Sequence, residues 1–179
     1  MAWSAPMTAV AGAIFTAAQF NQYVRDNLNS TAPALATATG QFFVATGANA
    51  IAARTPTSAR VNTSESTTSA TYTDLATPGP AVTVTTGVNA LVIITAGMSN
   101  NTTNSASSMS FAISGATTIA AADSHRIARD GMNLNNLVRY SAASFFNTLT
   151  PGVNTFTTKY LVGSGTGIFD NREIFVLPF

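Results

Sequence analysis

The densest group of reactive side chains in this sequence is Asp123-Ser-His-Arg-Ile-Ala-Arg-Asp130, with its only histidine, two carboxylates and two arginines. A Ser-His-Asp hydrolase uses those residue types as nucleophile, base and orienting acid. Adjacent residues of an extended chain point to alternating sides, however, and do not converge on one substrate atom. An exposed loop, or a set of ion pairs between subunits, is the preferred reading. A glycosidase would need two carboxyl groups roughly 5–10 Å apart across a cleft. The chain has seven acids, among them Asp170 and Glu173 late in the sequence, and no aromatic-rich cleft accompanies them. A compact polysaccharide hydrolase is kept as the enzymatic alternative, with Asp123 and Glu173 as the residues to test.

Other chemistry is sparser. One histidine, no cysteine and no acidic calcium loop leave no metal site to expect. Gly163-Ser-Gly-Thr-Gly167 has phosphate-loop spacing but lacks the strand–turn–helix frame, so a hairpin tip explains it better. No cofactor is expected. Asn29-Ser-Thr31, Asn62-Thr-Ser64 and Asn101-Thr-Thr103 match glycosylation sequons, which chance explains in a chain so rich in Asn, Ser and Thr. The loop Ser99-Asn-Asn-Thr-Thr-Asn-Ser-Ala-Ser107 offers the amides of Asn100, Asn101 and Asn104 to sugar hydroxyls, but has no neighbouring aromatic for a sugar ring to stack on. A solvated loop is the plainer account of it.

The elements that would position these residues begin with a helix. Thr16 and Gln19 have capping-box spacing, and Phe15 and Phe20 stand where a hydrophobic staple belongs. Phe20, Val24 and Leu28, with Tyr23 beside them, then make one apolar face over residues 15–29. A helix of roughly 13 residues is marginal alone and must dock on something. Residues 1–30 are therefore read as an anchor, with Trp3 as an interface plug because so little local core exists for it to join. Residues 31–58, rich in Ala, Thr and Gly, read as an extended connector that holds a short apolar strand at 40–47. Its Phe42, Phe43 and Ile51 would be covered by neighbouring chains or by the following domain.

From residue 59 onward the pattern is β. Val82 and Val84 alternate with Thr83 and Thr85, whereas Leu91-Val-Ile-Ile94 is apolar on both faces and so belongs in the middle of a sheet. Met109, Phe111 and Ile113 mark a third strand, and others are expected near 136–146, 153–161 and 172–179, with weaker ones near 59–63, 70–75 and 117–122. Turn signals such as Pro78-Gly-Pro80, Gly87-Val-Asn89 and Thr150-Pro-Gly152 separate them. Eight or nine strands predict an antiparallel β-sandwich, and the jelly roll is the commonest eight-stranded form. In the last strand Ile174 and Val176 face one way, while Phe175, Leu177 and Phe179 face the other. One of these sets needs a neighbouring protomer as its cover, and a homotrimer is expected.

Composition limits the function classes. The 179 residues are 46% hydrophobic and only 8% charged, with 31 Ala and 28 Thr. No charged side chain lies between Asp74 and Asp123, which suits β-strands and multi-chain packing. A formal charge of +1 supplies no field to gather nucleic acid. The first basic residue, Arg25, comes after the early apolar stretch rather than before it, so a secretory signal is not expected. Pro6, Gln19 and Asn21 interrupt that stretch, which argues against membrane insertion.

Two segments carry a resemblance. Trp3 followed by Gly12-x-x-x-Thr-Ala-Ala-x-x-Asn-x-x-Val-Arg-Asp-Asn27 resembles the opening of small structural proteins of tailed bacteriophages, especially those of actinobacteria. Gly40-Gln-Phe-Phe-Val-Ala-Thr-Gly-Ala-Asn49 is similar to the "GDLLVATGAN" segments of phage tail fibres, with Gln41 in place of the usual acidic residue. The two cover about the first third of the chain, and the β-region has no diagnostic motif. The resemblance implies a non-enzymatic virion component located at the particle surface. It would be a trimeric fibre, spike or minor tail protein, joined through its N-terminus to other virion proteins and presenting a β-head, with host-surface glycan as a further partner. A capsid decoration or head fibre is an alternative. A free carbohydrate-binding module is another, but it would leave residues 15–29 unexplained.

Overall fold

In the computed structural model, which describes residues 3–129 and 136–179, the chain is mainly β, with antiparallel sheets and a short helical segment near the N-terminus. Asp130 of the polar cluster lies outside the described residues. The chain divides into two units, Met1–Thr55 and Pro56–Phe179.

The first unit begins its helix where the sequence asks for it. The Gln19 amide donates to Thr16 Oγ1 at 3.2 Å and the Thr16 amide to Gln19 Oε1 at 2.9 Å, closing both arms of the capping box. The Phe15 and Phe20 rings meet edge to face at 6.1 Å, as a staple should. One correction follows. Helix α1 (Ala17–Phe20) passes into a π-helical segment, Asn21–Arg25, before α2 (Asp26–Leu28), so the expected regular helix contains a wide turn. There the Asp26 amide reaches back five residues to the Asn21 carbonyl. A third short helix, α3 (Ala32–Leu35), has Pro in its first turn, where the missing N–H is harmless.

The stretch expected as an extended connector folds back on itself. Strands β1 (Phe42–Gly47) and β2 (Ala50–Arg54) form an antiparallel hairpin in which Phe42 faces Arg54 and Gly47 faces Ala50. Asn49, at φ 55°, provides the left-handed turn that its short polar side chain tolerates.

The second unit has nine strands among its described residues. They are β3 (Thr57–Val61), β4 (Glu65–Thr67), β5 (Ala81–Thr86), β6 (Ala90–Asn100), β7 (Ser107–Gly115), β8 (Ile127–Arg129), β9 (Val138–Phe146), β10 (Gly152–Val162) and β11 (Gly167–Pro178). One sheet has the order β3-β11-β6-β9, with β4 also on β11; the other has the order β5-β10-β7-β8. Setting the short β4 aside, the first strand pairs with the last, the second with the seventh, the third with the sixth and the fourth with the fifth. That is the pattern of one long antiparallel ribbon rolled up on itself. The inward residues of both sheets, among them Ile94, Phe111, Phe156, Tyr160, Phe169 and Ile174, fill a single core.

The weak strands expected at 70–75 and 117–122 are reduced to isolated bridges, Thr73 with Tyr160 and Ile119 with Ile113. Residues 69–80 run beside β10 where β5 has ended, with Ser69, Thr73 and Pro80 carbonyls each accepting one amide from it. Pro78 and Pro80 have no N–H to give, so a continuous ladder cannot form.

Strand β11 carries a bulge that simple alternation hides. Asp170 pairs with Gly97 but Glu173 pairs with Thr95, so Asn171 and Arg172 together oppose the single residue Ala96. Asn171 takes up the extra residue at φ 46°. Phe169 and Arg172 therefore both point inward although they are an odd three positions apart, and both are wholly buried.

Candidate functional site

The polar cluster does not assemble as a triad. Asp123 accepts the Tyr72 hydroxyl at 2.8 Å on one oxygen and pairs with Arg126 at 3.0 Å on the other. Burial, reinforced by the Asp123 carboxylate, raises the Tyr72 hydroxyl above the ordinary phenol range, so it stays a donor. His125, at the end of a short 3-10 turn (Asp123–His125), packs its ring at a tilt against Phe146 at 4.7 Å and Phe111 at 5.7 Å instead of meeting Asp123. Ser124 is exposed. The cluster closes a loop over the middle of β7, where the Ser110 hydroxyl donates to the Ala122 carbonyl at 2.8 Å. Glu173 is the shared partner of two arginines, Arg60 at 3.4 Å and Arg139 at 3.1 Å. Among the described residues no group of three His, Asp or Glu is placed to hold a metal ion.

The Asn-rich loop is a built tip, and one of its expected surface residues lies inside it. Asn100, read as a surface recognition residue, is wholly buried. Its amide donates to Ser107 Oγ at 3.2 Å and the Ser164 carbonyl at 3.2 Å, while its Oδ1 accepts the Thr102 amide at 2.8 Å. It lies at the end of a long inward-facing strand, so its amide satisfies loop backbone instead of meeting solvent. Asn101 and Asn104 are exposed. Asn101 Oδ1 accepts the Thr166 amide at 2.8 Å, locking the β6–β7 loop to the β10–β11 loop, and Asn104 sits at φ 60°. The glycine run 163–167 is part of this tip. Gly165, at φ 71°, would drive any added Cβ into Thr102, so its conformation and its close approach both require glycine.

The anchor residues are placed differently from a packed core. Trp3 is 44% exposed, Phe20 48% and Leu28 60%, with Phe15 and Ile14 also exposed and Tyr23 and Val24 half-buried. Phe42 and Phe43 are half-buried as well. Among the described residues of the first unit, no apolar side chain is fully buried; the buried ones are Asn27 and Ser30. The sequence reading overlooked Asn27. Its Oδ1 accepts the Ser4 amide at 2.9 Å, and its Nδ2 donates to the Ser4 carbonyl at 3.2 Å and to the Tyr23 carbonyl at 3.1 Å. One amide thus ties the segment carrying Trp3 to the helix. Its signal was present as the last Asn of the Val-Arg-Asp-Asn run, but an Asn near a helix end reads as a cap by default.

Asn27→Ala is expected to free that segment while leaving the second unit intact. Losing a buried polar partner costs about 1–3 kcal/mol, which a unit without a packed core cannot absorb. Hydrogen exchange at the Ser4 amide should quicken and Trp3 emission should shift. Unchanged protection at Ser4 would show that the bridge is dispensable.

On the head, Phe175, Leu177 and Phe179 lie outside the core and are half-buried, whereas Ile174 and Val176 are wholly buried, as the alternation requires. Leu91 and Ile93 share the outer face with them, and Phe145 beside them is 61% exposed. Neither a protein-family model nor a curated protein sequence matches this chain.

Proposed function

We propose that this chain is a non-enzymatic structural component of a tailed-bacteriophage particle, a homotrimer anchored through its first unit and presenting the β-head at the particle surface. The observation that carries this reading is the first unit itself. It has a well-capped helix and a hairpin, yet it buries none of its apolar side chains among the described residues and exposes Trp3, Val10, Ile14, Phe15, Phe20 and Leu28. A unit of that size without a core is stable only against something else. The resemblance of residues 3–27 and 40–49 to phage structural proteins names the kind of assembly that supplies it.

The head fits the same role. We read its first-with-last, second-with-seventh pairing as a jelly roll, a form whose closed pair of sheets leaves loops at the two ends for contact. The tip built from Asn101, Asn104 and Thr166 is preorganised by its own hydrogen bonds, and it is the surface we assign to host glycan. Contacts that are weak for one head become strong when several are held on one particle.

Removing residues 1–55 tests the reading. The remaining chain keeps the entire core cluster and is expected to unfold cooperatively, yet to be absent from purified particles. Incorporation of the shortened chain at the normal level would refute the anchor.

A further inference from the structure

We infer that the outer face of the β3-β11-β6-β9 sheet is where heads of this chain dock on one another, an inference that rests on the oligomeric virion reading above. The strand register sorts this face into rows. Phe145, Leu91 and Leu177 lie side by side across β9, β6 and β11; the next row is Ala143, Ile93 and Phe175. The Phe145 ring also packs on Phe179, with centroids 6.3 Å apart. Beyond these apolar rows comes a polar one, in which the Thr95 and Ser141 hydroxyls bond at 2.7 Å beside Glu173. A charged row with Arg139 and Asp170 follows.

The other sheet offers a clear contrast. Its outward positions on β5, β10 and β7 include Thr83, Thr85, Thr155, Thr157 and Ser114, and the Thr83 and Thr155 hydroxyls bond to each other at 2.8 Å. That face is mainly small and polar, with Val153 and Leu161 as the apolar side chains of its β10 strand. The β11 face turns the larger apolar set outward, with Phe145, Leu91, Leu177, Ile93 and Phe175 in adjoining rows.

Charge selects the occupant. Among the described residues Arg60 and Arg139 share the single carboxylate of Glu173, so one cation is left over. Asp170, on the same face, has no cationic partner among the described residues and accepts only the Asn171 amide, at 2.6 Å. Among the described residues the face therefore carries one surplus of each sign, so the surplus carboxylate of one copy complements the surplus guanidinium of the next copy in a closed ring. The face gives a strongly acidic or basic partner no net attraction.

Size sets the strength. Four strands about 4.8 Å apart and some nine residues long make a face of roughly 600 Å². A standard interface buries about 800 Å² per partner. Docking through this face alone is thus weak, and tethering through the first unit strengthens it.

Sedimentation of the intact chain over a concentration series tests the inference. Leu177→Glu and Phe145→Glu place a carboxylate on the apolar rows, and Thr155→Glu places one on the opposite sheet as a control. Asp170→Asn removes the unmatched charge without altering shape. Circular dichroism and cooperative melting establish that each variant is folded. The two apolar-row variants should weaken association roughly tenfold or more, Asp170→Asn by less, and the control not at all. Equal association in all four would overturn the inference. So would a wild-type chain that stays monomeric across the whole concentration series. Particle incorporation reports the virion reading separately. Association through this face by a chain absent from particles defeats only that reading, and incorporation without such association defeats only this inference.

Discussion

Replacing Glu65 by Ala is expected to destabilise the head by roughly 3–5 kcal/mol, because it strands a guanidinium inside the core. Arg172 is 0% exposed, and its Nη2 lies 3.4 Å from Glu65 Oε2. Its remaining partners are weak substitutes: the Thr77 carbonyl at 3.4 Å, Thr63 Oγ1 at 3.2 Å and the Tyr160 ring at 5.4 Å. Among the described residues its Nε has no hydrogen-bond partner. For a domain of this size the loss corresponds to a fall in Tm of roughly 10–20 °C. The double replacement Glu65→Ala with Arg172→Met removes both charges and should recover most of it, since a buried pair seldom outperforms apolar residues of similar volume. A single variant that melts with the wild type would show that water reaches this guanidinium.

The same pair makes the head sensitive to acid. Hydrogen bonds from Thr77 and the nearby Arg172 charge hold the Glu65 carboxyl below the usual carboxylate range. A group depressed in the folded state contributes its stability above its unfolded value, about 4.3, and loses it as pH falls through the lower folded value. Wild-type Tm should therefore drop below about pH 4, and Glu65→Gln should flatten that part of the profile. Tyr160, which burial pushes up to about 12, stays a donor throughout and keeps its 2.8 Å bond to the Gly79 carbonyl.

The second large effect is expected at Asn154, on β10. Its Oδ1 accepts the Thr117 amide at 2.7 Å, and its Nδ2 donates to Thr86 Oγ1 at 2.8 Å and the Thr150 carbonyl at 3.2 Å. One buried amide thus joins the ends of β5 and β10 to the segment that follows β7. Asn154→Leu keeps the volume but leaves three polar groups without a partner, a cost of about 2–4 kcal/mol in denaturant unfolding. Exchange at the Thr117 amide should rise with it. A loss below the error of the measurement would mean that solvent enters and replaces the amide.

Much of the architecture was legible because it follows local rules. The capping box at Thr16 and Gln19, the staple of Phe15 and Phe20, and the alternation of Val82, Val84, Met109, Phe111 and Ile113 are each set by neighbours a few residues away. Leu91-Val-Ile-Ile94 announced a strand in mid-sheet, and β6 lies between β11 and β9. The same run also carried the signal of an apolar outer face, which its two-sided pattern does not distinguish from burial on both faces.

Other features depend on residues far apart in sequence. Nothing near Glu65 says that its partner is Arg172, since the two meet only when β4 pairs with the start of β11. The bulge at Asn171 shifts the inward set by one residue, which turns Phe169 into the core against simple alternation. Asn100 and Asn27 read as solvated polar residues, yet each is the hydrogen-bond hub of a distant segment. Local sequence set the helix start and the inward side of the long strands, because backbone propensity and side-chain period act over a few residues. Tertiary structure alone decided which apolar sides meet each other, which polar groups become buried partners, and which face is left for another chain. Those outcomes depend on register and on long-range pairing, and a linear pattern does not encode either.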